Sequence, residues 1–211
     1  MRTSLARRTT KPKNNTKTDL LSASPTFFTE IKMTDILSSS MWKNTNSFKS
    51  IKDKVTQRKY YVKNNCTPEV YQLVELDSKP FGTECEKIIG EIFNLSPRTS
   101  SENDGVFKGK KIEIKTARYW DSKDECVWQH LEPDHDYEYV LFVLLDFTGF
   151  KIFGIKKSDL MSDKLRNTTK EKKSKKPVNF QGKQGWWTRK SAILPYLTPI
   201  ATIEDLDNFI H

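Results

Sequence analysis

From Pro80 onward the apolar residues Phe81, Cys85, Ile88, Ile89, Ile92 and Phe93 recur at steps that keep them on one face of a helix. The helix is predicted to start at Pro80, which suits a first turn, and to end near Leu95, because Pro97 disfavours helix in the residue before it. The period then changes. Asp104 to Phe107 and Lys111 to Ala117 read as two short strands joined by a turn at Lys108-Gly109-Lys110, a hairpin. Tyr137 to Leu145, containing the longest apolar run of the chain, predicts a buried strand, and Lys151 to Ile155 a further one across Phe147-Thr148-Gly149-Phe150. Ser158 is placed to cap a short helix through Leu165, and Thr202, with Asp205 three positions on, to cap a last helix from Ile203 to Ile210. This order predicts an α/β (α+β) domain over residues 80–211, a sheet flanked by helices. Before it, residues 41–79 read as a partly helical lead-in with irregular apolar spacing (Trp42, Phe48, Ile51, Val55). Residues 1–40, rich in Ser, Thr, Lys and Asn, read as a disordered arm, since they offer too little apolar surface to offset chain entropy.

Composition changes this picture mainly through the placement of charge. The chain of 211 residues has a net charge of +9 and a pI near 9.3. Two segments carry all of that excess: residues 1–17, basic and free of acids, and residues 164–176, where Lys164, Arg166, Lys170, Lys172, Lys173, Lys175 and Lys176 face Glu171 alone. The remaining body is slightly acidic. A body bearing carboxylates with basic arms suits a polyanion partner, with Lys170, Lys172, Lys173, Lys175, Lys176 and Arg189 as candidate phosphate contacts; two solvated tracts are the plainer alternative. No apolar run approaches the length of a membrane span, so no membrane partner is expected. Cys66, Cys85 and Cys126 are too far apart for a zinc knuckle or a disulfide framework, which favours a reducing, intracellular compartment that contains DNA.

The candidate chemistry lies in Lys111-Ile112-Glu113-Ile114-Lys115. Strand alternation sends Ile112 and Ile114 to one face and puts Glu113 and Lys115 together on the other. Asp104, on the partner strand of the hairpin, brings a second carboxylate beside Glu113, and Gly105 permits close backbone approach. Two converging carboxylates repel each other, and a hard divalent cation relieves that repulsion; magnesium is the expected ion, with manganese as a substitute. A phosphodiester repels nucleophiles by its own charge, so its hydrolysis needs such a cation together with a positive group on the phosphate. Lys115 is that group.

These residues resemble the signature of the PD-(D/E)XK nuclease superfamily: an acid, a spacer, then acid-x-Lys on a strand, here Asn103-Asp104 followed by Glu113-Ile114-Lys115. Asn103 stands where the superfamily usually has proline. The resemblance implies a restriction-endonuclease-like core with a mixed sheet flanked by helices. It also implies metal binding by Asp104 and Glu113, with an auxiliary glutamate on the preceding helix. In Gly82-Thr83-Glu84-Cys85-Glu86 that glutamate is Glu86, with Glu84 open as the alternative. Trp128-Gln129-His130 resembles a stretch in cleavage subunits of type IIS restriction enzymes, which would bring Gln129 or His130 near the scissile phosphate.

The expectation is therefore a magnesium-dependent endonuclease acting on double-stranded DNA, of restriction type. It would work as a homodimer or with a partner subunit, since both strands must be cut. A structure-selective repair or recombination nuclease of Holliday-junction-resolvase type, or a non-catalytic DNA-binding protein on a nuclease core, are the alternatives. For Glu113 and Lys115 the plain reading is a solvated ion pair on a strand. For Trp186 and Trp187 core packing is weighed against base stacking, with one of them assigned to the core.

Overall fold

The computed structural model describes residues 46–120, 124–166, 178–182 and 185–210. The chain divides between Phe48 and Lys49, and of the first unit only the opening of one helix is described. The expected arm 1–40 and the lysines Lys170, Lys172, Lys173, Lys175 and Lys176 lie outside the described residues.

Three helices come first. Helix α1 spans Asn46–Lys63, α2 Pro68–Glu75 and α3 Ser78–Ile92. Pro68 occupies the first turn of α2, where a missing N–H leaves nothing unpaired, and the Thr67 hydroxyl caps it by accepting from Val70 N–H. Asn94, at φ 50°, closes α3 in the left-handed conformation, and Leu95 N–H returns to Gly90 C=O at 2.9 Å. The boundary expected at residue 80 is not a structural one. Tyr61 of α1 and Val70 and Val74 of α2 are buried in the same core as Phe81 and Cys85 of α3. Irregular apolar spacing hid these helices, because each offers only one or two anchors.

The main sheet has five strands in the order β1-β2-β4-β5-β8. These are β1 Gly105–Phe107, β2 Lys110–Arg118, β4 Tyr139–Leu145, β5 Phe150–Lys156 and β8 Thr198–Ile200. β2 and β4 run parallel and every other pair is antiparallel, so the sheet is mixed. Lys108 at φ 48° and Gly109 at φ 78° form the tight turn of the β1–β2 hairpin, the backbone whose twist matches that of the flanking strands. β4 is buried along its whole length, as its unbroken apolar run predicts for a strand covered on both faces.

Each face has its own core. On one, Ile112, Ile114, Leu141 and Val143 meet Ile89 and Phe93 of α3 and Leu206 and Ile210 from the C-terminal helix. That helix, Ile203–Phe209, has the expected capping box between Thr202 and Asp205. On the other face, Val140, Phe142 and Leu144 pack with Tyr61, Val70, Val74 and Trp128.

Trp128 belongs to a second, antiparallel sheet of order β3-β7-β6: β3 Val127–Leu131, β7 Gly185–Arg189 and β6 Asn179–Gly182. The crossover from β2 to β4 thus runs through β3. Two details differ from expectation. The helix after β5 spans only Lys157–Leu160, and Lys156 precedes it without a side-chain cap, so Ser158 is inside the first turn rather than capping it. Trp186 and Trp187 are strand residues, both only half-buried: Trp186 lies beneath the Arg166 guanidinium at 4.2 Å, and Trp187 lies against Phe180. The expectation of a core position for one of them therefore fails.

Candidate active site

Asp104 directly precedes β1, and its position is fixed from two sides. Its N–H donates to Ile112 C=O at 2.9 Å, and its Oδ2 accepts Ile114 N–H at 2.7 Å. The residue is thus tied to the peptide groups on both sides of Glu113, which holds the two acids together independently of their side-chain flexibility. β-Alternation turns Glu113 and Lys115 away from Ile112 and Ile114, as the pattern predicted. Glu113 is only 5% exposed, and the Lys115 ammonium is paired with its Oε1.

A carboxylate so buried is disfavoured in its charged form. Burial pushes the Glu113 carboxyl from the ordinary 4.5 up to about 7; the negative charges of Asp104 and Glu86 add to this, and Lys115 works against it. The Glu86 carboxyl is raised for the same first reason, with Asp104 adding to the effect and Lys115 and Arg98 opposing it. Glu86 therefore shares the field of this site. Glu84 does not: it is exposed and paired with Lys87 at 2.8 Å. The alternative left open by the helical pattern is resolved in favour of Glu86. Gly82, one turn before, keeps the space free, since a Cβ there would stand 3.7 Å from Glu86 Oε1 and 3.9 Å from Thr116 Oγ1.

The second sheet does not join this cluster. Gln129 is half-buried in β3, where pairing with β7 shifts register between Trp128 and Leu131, and the structure gives Gln129 no hydrogen bond to Asp104, Glu113 or Lys115. His130, in the same irregularity, is exposed at φ 60°. Arg189 is exposed on β7 with its guanidinium 5.8 Å from the Phe180 ring centre.

Two residues of the site region escaped the sequence reading. Asn103, in the place of the usual proline, is 1% exposed. Its amide donates to Thr99 Oγ1 and Ser100 Oγ, both at 3.1 Å, and its carbonyl accepts Thr99 N–H at 3.3 Å. It builds by hydrogen bonds the rigid approach to Asp104 that a proline would build by its ring. Ser-Ser-Glu-Asn before an acid is a turn signal that could have shown this. The other is Tyr137, buried near Glu113, for which the sequence offered only a place at the start of an apolar run.

The donors are hard oxygens. Among the described residues no three acidic, histidine or cysteine side chains already converge as a metal cage. Magnesium asks for less, one or two carboxylates completed by water and substrate phosphate, and Asp104 with Glu113 fits that demand. No protein family, curated protein or solved structure matches the chain.

Proposed function

We propose that this protein is a divalent-metal-dependent endonuclease that hydrolyses phosphodiester bonds in double-stranded DNA, of restriction type. The observation that carries the reading is the buried Glu113–Lys115 pair, held against Asp104 by Asp104's hydrogen bonds to both flanking peptides. A solvated ion pair on a strand would not be this buried, nor would a purely structural acid be left with a carboxyl raised to about 7.

Asp104 and Glu113 would hold the metal, with Glu86 behind them. When bound, the metal would supply a water acidic enough to attack and charge to offset that of the phosphate. The protein's own part is positional. Lys115 exchanges its carboxylate partner for a phosphate oxygen and holds the scissile group against the hairpin. The rigid β1–β2 backbone keeps the two acids from separating when the substrate arrives. Sequence-specific cutting and action as a homodimer or with a partner subunit belong to the same proposal.

The test is cleavage of a supercoiled plasmid with and without magnesium or manganese, by the intact chain and by Lys115→Ala and Asp104→Ala. Metal-dependent cutting that falls roughly 100- to 1,000-fold in each variant is expected, the size of effect seen when one charge-stabilising group is removed. Discrete fragments from a long mixed-sequence DNA would support restriction-type action, and preference for branched substrates would favour a resolvase-like enzyme. DNA binding unchanged in all three proteins, with no cutting by the intact chain, would replace the proposal with a non-catalytic binding role.

A further inference from the structure

Tyr137 carries a polar atom for which the fold provides no use. The residue is 3% exposed, and its hydroxyl is buried with no hydrogen-bond partner. A buried hydroxyl left unpaired costs about 1–3 kcal/mol, and folded proteins keep few of them. Phenylalanine would fill the same space. The ring packs with Val140 and Phe142, on the sheet face that also carries Glu113 and Lys115, and Val140 is the register partner of Glu113. The Lys157 ammonium lies 4.4 Å from the ring centre and donates to His135 C=O, to which Tyr137 N–H also donates at 3.1 Å. Backbone and ring are therefore fixed, and only the hydroxyl is without a partner.

Two carboxylates stand within electrostatic reach of that hydroxyl. Burial raises the phenol well above its ordinary range, and the negative charge of Glu113, then that of Glu132, raises it further. Of the two, Glu113 is the more buried and has Lys115 as its ion-pair partner. On the reading proposed above, a substrate phosphate draws Lys115 away. Glu113 would then be a nearly solvent-free carboxylate with no donor from the protein, a costly arrangement.

We propose that Tyr137 is a positioning residue: its hydroxyl is held in reserve and donates to Glu113 when Lys115 leaves Glu113 for the phosphate. No atom changes bonding partner covalently; one hydrogen bond replaces another. This inference rests on the nuclease reading for its functional part and on the Glu113–Lys115 pair for its structural part.

The experiment is a double-mutant cycle between Lys115 and Tyr137, read by urea unfolding at pH 8, together with cleavage kinetics. In the intact chain Tyr137→Phe is expected to change the folding equilibrium constant less than threefold, because the hydroxyl it removes has no partner there. In a Lys115→Met background the same change is expected to lower that constant by about tenfold more. Lys115→Gln serves as a second background should the methionine variant fail to fold. In cleavage, Tyr137→Phe is expected to lower kcat by about tenfold with KM for DNA unchanged. Equal effects in both backgrounds would overturn the inference even if the chain cuts DNA. Unequal effects in a chain that cuts no DNA would leave the exchange of donors on Glu113 standing and sink the nuclease reading. A cycle that is non-additive with Glu132→Gln instead of Lys115→Met would assign the hydroxyl to the wrong carboxylate and also overturn it.

Discussion

The two ends of β2 both bury charge, and they treat it differently. At the far end, Arg118 directs its guanidinium at the last carbonyls of α2, donating to Leu73, Val74 and Leu76 C=O, with its flat face 4.3 Å from the Phe81 ring centre. Next to it, the Tyr61 hydroxyl donates to Leu145 C=O and accepts Tyr119 N–H, while Tyr119 C=O accepts from Gln57. The polar groups named there are matched. At the near end Glu113 has one partner, Lys115, in a field of two further acids, and the Tyr137 hydroxyl has none. Matched burial is what a fold uses to fix the relation of its parts. Unmatched burial persists where a ligand completes it, which is why the near end is the candidate site and the far end its anchor.

The sharpest way to break this contrast is to remove the anchor. Arg118→Ala should destabilise the fold by roughly 2–4 kcal/mol in urea unfolding, by leaving α2 carbonyls unpaired. Cleavage per folded molecule should hardly change, and a loss of activity larger than the loss of folded protein would mean that the two ends are not separable. The next effect concerns pH. The Glu113 carboxyl is raised in the folded state to about 7 against 4.5, so the folded chain keeps a proton that the unfolded chain has released. Stability should therefore fall as pH rises from about 4.5 to 7, by up to about 3 kcal/mol, and level off above. Glu113→Gln should lack this component. Parallel stability curves for the two proteins would show that Glu113 is as well matched as Arg118.

A smaller effect separates the glutamates of α3. Glu86→Gln should reduce metal-dependent cutting roughly 10- to 100-fold, as loss of an outer metal-site group does, and Glu84→Gln should leave it unchanged. Equal losses would place both acids in the site. Smallest is Tyr61→Phe, which should cost about 1–2 kcal/mol in the same unfolding assay, because the Leu145 carbonyl and the Tyr119 amide lose a buried partner. Tyr137→Phe, with no partner to lose, should cost less than Tyr61→Phe, and the reverse order would undo the distinction between the two ends.

What could be read from the sequence follows from how local each feature is. The β1–β2 hairpin, the C-terminal capping box and the buried strand β4 each depend on residues within a few positions of one another, and their patterns announce them. Within the site, alternation was enough to put Glu113 beside Lys115, but a helical wheel could not choose between Glu84 and Glu86, since that depends on which way α3 faces β2. The second sheet was missed because β3 pairs with β7, from Val127 to Arg189, across most of the C-terminal half of the chain. Gln129 was assigned a place near the phosphate by its neighbourhood in sequence, whereas its strand answers to that distant partner. Tyr137 was missed for a different reason: in an apolar run a tyrosine reads as one more large side chain, and only the surroundings of its hydroxyl distinguish it.

The turn at Lys108-Gly109 also bears on how such a chain could vary. Because the pairing of Gly105 with Ile112 lies below the tip, residues added at the tip extend outward and leave Asp104 and Glu113 where they are. One residue added between Ile112 and Glu113 would instead reverse the parity of the strand, sending the isoleucines of β2 to the polar face and its acid and lysine into the apolar core. Drift in the length of this hairpin is thus open at one point and forbidden a few residues away.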